Sequence, residues 1–170
     1  MQVELTCRLK NDFSAALVFD WARADDHDWL LDGSIHLSIG PYTHEGPFYA
    51  EGYQVRLWIE ELEAMTTQRG HEALFHDWDG LQRVWIRNTA LDLSPVRVSY
   101  EWHGFVGVPD PDEAGGEVGA DGAYLSIRGL RAEIAELATL IERLRRLLGE
   151  SKVRTDYRPR GLRPQPQRGD

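Results

Sequence analysis

The sequence predicts an α+β fold: a mostly antiparallel sheet of about seven or eight strands, one mid-chain helix, and a long C-terminal amphipathic helix packed on the sheet. Three observations carry that prediction. Short runs alternate apolar and polar residues, as strands with one buried face do. A segment near the middle switches to helical spacing, and another near the end does so over a longer stretch. All six tryptophans fall before residue 103, which suits a core of large flat side chains lying on a sheet.

Val3, Leu5, Cys7 and Leu9 alternate with Glu4, Thr6, Arg8 and Lys10 to give a first strand, and Asn11-Asp12 supplies the turn. Leu17, Phe19 and Trp21 share one face of a second strand. Residues 23–28, RADDHD, are too polar to pack and read as a loop. From Trp29 the alternation resumes through Ile35, Leu37 and Ile39, with His36 on the polar face, until Gly40-Pro41 stops it. Apolar positions at 48 and 50 give way to 53, 55 and 57, and this change of parity at Glu51-Gly52 reads as a β-bulge. Trp58, Leu62 and Met65 then follow helical spacing with Glu60, Glu61 and Glu63 opposite, predicting a helix over 57–69 closed by Gly70.

Further strands are expected near 72–77, 81–87 and 91–103, the last bent at Pro95 or lying at an edge. Residues 107–122 are rich in Gly, Pro and acid and read as a mobile surface loop, with one more strand over 123–127. Leu130, Ile134, Leu137, Ile141, Leu144 and Leu148 form the stripe of the C-terminal helix, stopped by Gly149. No internal repeat is visible. The expected division is one α+β domain over 1–149 and a disordered Arg/Pro/Gly-rich tail over 150–170.

A chain of 170 residues fits one domain with a tail and buries enough surface to fold without a metal or disulfide. Its single cysteine, Cys7, excludes an internal disulfide and a cysteine-based zinc site, and its place in the first strand marks it as a buried small hydrophobe. The N-terminus lacks the basic start and apolar run of a signal peptide, and no apolar run approaches the ~20 residues of a membrane span, so the expected location is the cytoplasm. Charge is unevenly placed. Residues 1–121 carry 8 Lys/Arg against 22 Asp/Glu, a net of −14, while residues 122–170 carry 11 against 6, a net of +5. The acidic part should repel nucleic acid and attract basic partners; only the tail has the charge to touch phosphate, and weakly.

Candidate sites were weighed by spacing. Asp25, Asp26, His27 and Asp28 offer the clustered oxygens that hard cations want, but they lack the alternation and glycine of a calcium loop. His71 and His76 fall on opposite faces of their strand. Glu60 and Glu61 diverge by about 100° around a helix, too far apart to serve one substrate atom. No GxSxG, phosphate-binding glycine loop, HExxH or CxxC occurs. No metal, cofactor or catalytic group is assigned, and a non-enzymatic protein is expected. Asp25, Asp26, Asp28, Asp77 and Asp79 are the candidates for contacting a basic partner. Two other readings stay open: a ligand or substrate pocket between sheet and helix, and a scaffold dimerising through the C-terminal helix. The stripe of that helix runs for under three heptads, which favours docking on its own sheet, and leaves monomer and homodimer both open.

Some short motifs add a resemblance. Asp28-Trp29-Leu30, Glu61-Leu62 in the mid-chain helix, and Trp78-Asp79-Gly80 followed by Arg83 and Trp85 resemble the pattern of small bacterial α+β proteins grouped with the wall-associated-protein (WapI-type) immunity proteins. The likeness covers about residues 3–149, and the 107–122 loop and the tail depart from it. It implies a binding protein of immunity type, with a basic partner such as a toxin encoded next door, and carries over no catalytic residue.

Overall fold

The computed structural model describes residues 1–9, 14–23, 27–89, 93–109 and 117–156. Eight strands form one antiparallel sheet: β1 (Gln2–Arg8), β2 (Ser14–Arg23), β3 (Leu30–Ile39), β4 (Tyr42–Glu51), β5 (Glu72–His76), β6 (Gln82–Arg87), β7 (Val96–Pro109) and β8 (Glu117–Ala132). Helix α1 (Gly52–Thr67) follows β4, and α2 (Ile134–Ser151) follows β8. The sheet order is β4-β3-β2-β1-β8-β7-β6-β5. Four strands and a helix therefore occur twice in succession. Among the described residues, the two four-stranded meanders pair at β1 and β8 through Arg8 opposite Arg131.

The alternation read from the sequence sets the faces. Val3, Leu5 and Cys7 of β1 are buried and their neighbours exposed, and the same parity continues through Leu17, Phe19 and Trp21. Both helices cover this inner face. Leu137, Leu140, Ile141, Leu144 and Leu147 of α2 are buried, as are Val55, Trp58, Ile59, Leu62 and Met65 of α1. Phe75 of β5 is the centre of the core, with its ring 5.0–5.8 Å from those of Trp58, Trp21, Phe48 and Phe19. The space between sheet and helices is thus filled with apolar side chains, and the α2 stripe lies inside its own chain. Cys7 is buried there, its thiol pushed up to about 12 by desolvation.

Gly33 sits on the inner face between Trp21 and Phe48, its partners on β2 and β4. The two rings close over it at 4.6 Å, edge to face. A Cβ at this position would lie 1.9 Å from the Asp20 carbonyl oxygen. Only glycine lets the strands approach so closely.

Although the sheet is open, its ends are clipped together. Trp78 donates its backbone N–H to the Tyr49 carbonyl at 2.6 Å, and Gln82 Nε2 donates to the Pro47 carbonyl. Gln82 is fully buried, and its Oε1 accepts from the Tyr100 hydroxyl at 2.9 Å. Edge strand β4 is thereby held against the β5–β6 hairpin. On the other edge, Glu61 of α1 accepts the Leu74 N–H at 3.0 Å and occupies a donor that β5 would otherwise expose. Asn88 ties the end of α1 to the sheet, donating to the Met65 and Gln68 carbonyls and accepting from His71 N–H.

Several sequence expectations need correction. The parity change at Glu51-Gly52 is no bulge: β4 ends there and α1 begins, five residues earlier than the expected start at 57. Gly52 permits this junction, since its N–H donates to the Trp29 carbonyl and a Cβ would meet the Arg154 carbonyl at 2.7 Å. Pro95 precedes β7, which is central and bulges instead between Val98 and Tyr100 and between Gly104 and Val106. Residues 107–109 and 117–122, expected as loop, continue the β7–β8 ladder, and 110–116 lie outside the described residues. Leu130 belongs to β8, so α2 starts at Ile134, after the first apolar position of the stripe. Of the residues expected beyond the domain, Glu150 and Ser151 belong to α2, Val153 is buried, and Arg154 N–H donates to the Asp28 carbonyl at 2.6 Å. Residues 157–170 lie outside the described residues.

Two substitutions test this account of the sheet. Gln82→Leu keeps the volume but leaves the Tyr100 hydroxyl and Pro47 carbonyl without partners. It should cost about 3 kcal/mol, since each orphaned buried group costs about 1–3 kcal/mol. Gly33→Ala should cost a comparable amount, about 3 kcal/mol, because the obstacle to its Cβ is backbone. Urea unfolding reads both; a loss under about 1 kcal/mol in either variant would contradict the role given to that residue.

Candidate functional site

Buried apolar residues explain the inner face; the exposed aromatics are elsewhere. Trp78 is 40% and Tyr49 46% exposed, unusual for side chains of that size. The Trp78–Tyr49 backbone bond makes them neighbours. Trp29 packs edge to face against Trp78 at 5.9 Å, and His27 stacks on Trp29 at 5.0 Å. Segments 27–29 and 77–79, far apart in sequence, thus meet through their tryptophans at the clipped edge of the sheet.

Each segment is firmly held. The Trp29 carbonyl accepts from Gly52 N–H, and the Asp28 carbonyl from Arg154 N–H, so the first turn of α1 and the strand of chain after α2 both anchor it. The 77–80 turn is organised by Asp77. Its Oδ1 accepts the Gln82 N–H at 2.9 Å, and its carbonyl accepts the Gly80 N–H at 3.1 Å, with Gly80 at a φ of +69°. Asp-Gly is the residue pair such a turn favours.

The predicted partner-contacting residues separate accordingly. Asp28 and Asp79 are exposed beside the two tryptophans. Asp77 is not a surface group; it is 2% exposed and committed to its own turn, so its assignment as a contact residue is corrected. Desolvation raises its pKa, against the lowering effect of the Gln82 and Leu81 N–H groups. Asp25 and Asp26 lie outside the described residues. Asp28 is 4.0 Å from the Arg154 guanidinium, and Arg83 lies beside Gly80.

Sequence reasoning missed the sheet's contribution. Outward positions of β2, β3 and β4 form a block in register: Asp20, Ser34 and Pro47 in one row, Ala22, Asp32 and Tyr49 in the next. A depression of about 450 Å³ lies over this block. Asp32 lines it, and its Oδ1 is shielded from solvent with no hydrogen-bond partner among the described residues. Tyr49 lines this depression, and its backbone carbonyl accepts the Trp78 N–H, so the depression lies beside the 77–80 turn. The signal was available only as register, which the sequence does not print.

Two further groupings bring chemistry-bearing side chains together. Ser34 Oγ is 2.7 Å from His36 Nε2, and His36 Nδ1 is 3.5 Å from Glu45. This has the order of a hydrolase relay, but β3 is flanked on both sides and its backbone N–H groups serve the ladders, leaving no pair of donors for an oxyanion at Ser34. Glu45 is 65% exposed, so it does not hold the imidazole in a dry site. On the inner face, His44 packs on Trp102 at 4.7 Å, and burial lowers its pKa. Among the described residues, no group of three or more His, Cys, Asp or Glu side chains could hold a metal ion, and no helix is long and apolar enough to cross a membrane. Comparison with family models, curated proteins and solved structures returns no match.

The buried carboxyl makes the turn measurable. Asp77 prefers the protonated form more in the folded chain than in the unfolded one, so its contribution to stability is greatest below the ordinary aspartate range and falls as pH rises through it. Asn keeps an oxygen for the Gln82 N–H. Asp77→Asn should therefore gain stability relative to the parent as pH is raised from about 4 toward neutrality, read as the difference in urea unfolding free energy. A pH-independent difference would show that desolvation does not govern this carboxyl.

Proposed function

We propose that this chain is a non-enzymatic binding protein of immunity type, and that it holds a basic partner protein through the surface built from Trp78, Tyr49 and Trp29. The observation that carries the reading is that two exposed aromatics, Trp78 and Tyr49, are joined backbone to backbone at the clipped sheet edge with the exposed carboxylates Asp28 and Asp79 near by. Exposed tryptophan and tyrosine on a rigid support are the side chains that dominate binding energy at protein interfaces, because they bury large areas at small entropic cost. The net of −14 on residues 1–121 supplies long-range attraction for a cationic surface. A toxin that cuts nucleic acid presents such a surface, and a neighbouring gene is the natural source of one. The cytoplasm is the compartment in which such a pair would meet.

The filled interior and the internal placement of the α2 stripe favour this reading over a pocket between sheet and helix and over dimerisation through α2. Co-expression with the product of the adjacent gene, followed by pull-down and calorimetry, tests it. A stable complex is expected, weakened about 30-fold or more by Trp78→Ala and weakened further as salt is raised. Trp78→Ala should leave the unfolding free energy within about 1 kcal/mol, since the ring is exposed. A complex indifferent to both Trp78→Ala and salt would place the partner on another surface.

A further inference from the structure

Both helices lie on the inner face, so the outer face of the sheet carries no covering element among the described residues. Its two halves differ in charge. Outward positions of β2, β3 and β4 bring Asp20, Asp32 and Glu45 to one half. Across β1, β8, β7 and β6 the register sets Arg8 opposite Arg131, Arg131 opposite Arg97, and Arg97 opposite Arg87. From this row we infer that the outer face of the second meander, bordered by Arg8, binds single-stranded nucleic acid, with phosphates on the arginines and a base on Trp85. The inference goes beyond the binding-protein reading and uses a different part of the molecule.

All four arginines are exposed, while their neighbours along the strands, Cys7, Ala132, Val96 and Ile86, are buried. Like charges directly opposite on a ladder destabilise a sheet. Here they face each other at three successive strand pairs, and Arg87 alone of the four has an ion pair among the described residues, with Glu72. Arg8, Arg97 and Arg131 have no side-chain hydrogen bond or ion pair among the described residues. Bulk composition does not account for the row, since the chain is −9 overall. A polyanion lying along it would remove the repulsion and give each guanidinium a partner. Neighbouring strands are about 4.8 Å apart, so the row is about 14 Å long, the rise of about four nucleotides in a stacked strand.

The adjacent row supplies an aromatic ring. Trp85, two residues from Arg87, is partly exposed, with Leu74 opposite on β5 and the small Ser99 opposite on β7. A ring beside a cationic row suits an unpaired strand, whose bases are free to stack, where those of a duplex are already stacked on one another. Of the described carboxylates on the outer face of β5 to β8, Glu72 and Glu101 are each ion-paired, with Arg87 and Arg128. Glu133 and Glu136 line a depression beside Arg8 and Arg131 without pairing to either, and bound the surface at that end. The acidic half begins at β2, about 14 Å from β7, beyond the distance over which salt at ordinary strength leaves charge unscreened.

Fluorescein-labelled oligothymidylate of about 12 nucleotides is titrated into the full chain at low salt and followed by anisotropy. Binding is expected, with log Kd rising with log salt at a slope of about 3 for four neutralised phosphates. Arg97→Ala and Arg131→Ala should each weaken Kd by about fivefold and lower that slope by about 0.7. Trp85→Leu should weaken Kd by about fivefold or more and leave the slope as it is. Three controls should stay within about twofold: Arg143→Ala on α2, Arg158→Ala with Arg160→Ala in the tail, and Trp78→Ala. A duplex of the same length and polyglutamate should each bind about tenfold more weakly. Circular dichroism of each variant reports that it has folded. Absence of binding, row variants no weaker than Arg143→Ala, affinity lost with the two tail arginines, or equal affinity for the duplex or polyglutamate would overturn the inference. The two proposals fail separately, because the basic-partner complex is read through Trp78 and the nucleic-acid surface through Arg97 and Arg131.

Discussion

A single buried amide, Gln82, connects the parts of this molecule that matter most. An eight-stranded antiparallel sheet has two free edges, and its ends have no reason of their own to meet. Gln82 gives them one. Its side chain spans from the Pro47 carbonyl on β4 to the Tyr100 hydroxyl on β7, while its backbone closes the turn with Asp77. Every polar atom it carries into the core finds a partner, which is the condition under which such a group specifies a structure instead of destabilising it. The consequence is local. Once β4 lies against the β5–β6 hairpin, Tyr49 and Trp78 become neighbours, and Trp29 completes the cluster.

The architecture repeats a unit of four strands and a helix, joined among the described residues by one strand pair, Arg8 and Arg131. Two opposed arginines are poor glue, since like charges facing across a ladder repel. The union of the halves must come from elsewhere. Phe75 of the second unit lies among Phe19, Trp21, Phe48 and Trp58 of the first, and α1 packs on α2. The shared aromatic core and the Gln82 clip thus do what the seam does not. The repeat was invisible in the sequence because it is one of topology: the first unit carries the aromatic core and the second an extended β7–β8 hairpin, with no common residue pattern.

What could be read from the sequence follows from how local each feature is. The strict alternation of Val3, Leu5 and Cys7 and of Leu17, Phe19 and Trp21 gave faces correctly because period two is a property of the strand alone. Boundaries were harder. Gly52 looked like a bulge because its reason for being glycine is the Arg154 carbonyl, a hundred residues away in sequence. Leu130 fitted a helical stripe by spacing while its backbone belonged to β8. Acidic residues in turns looked alike on paper, yet Asp77 faces inward to hold a turn and Asp79, two positions on, faces water. Asp32 attracted no notice, because its place opposite Tyr49 and its buried oxygen, unpartnered among the described residues, are matters of register.

These particulars bear on how an acidic domain can be selective. Net charge alone draws any cation and confers little discrimination, since exposed carboxylates are well solvated and screened within about 10 Å at ordinary salt. Selectivity requires groups that are poorly solvated before binding and geometrically fixed. Asp28 and Asp79 meet neither condition strongly; they are exposed, and their part is to shape the field. Tyr49 and Trp78 present apolar ring surface that water solvates weakly, on positions that the fold holds in place. The two residues are joined by a backbone bond, and the Trp78 ring packs on Trp29. A partner approaching this face would be steered by the many carboxylates and discriminated by the few rigid groups at the clipped edge. On the proposed reading fold and recognition converge there, because the constraint that closes the sheet also brings Tyr49 and Trp78 together.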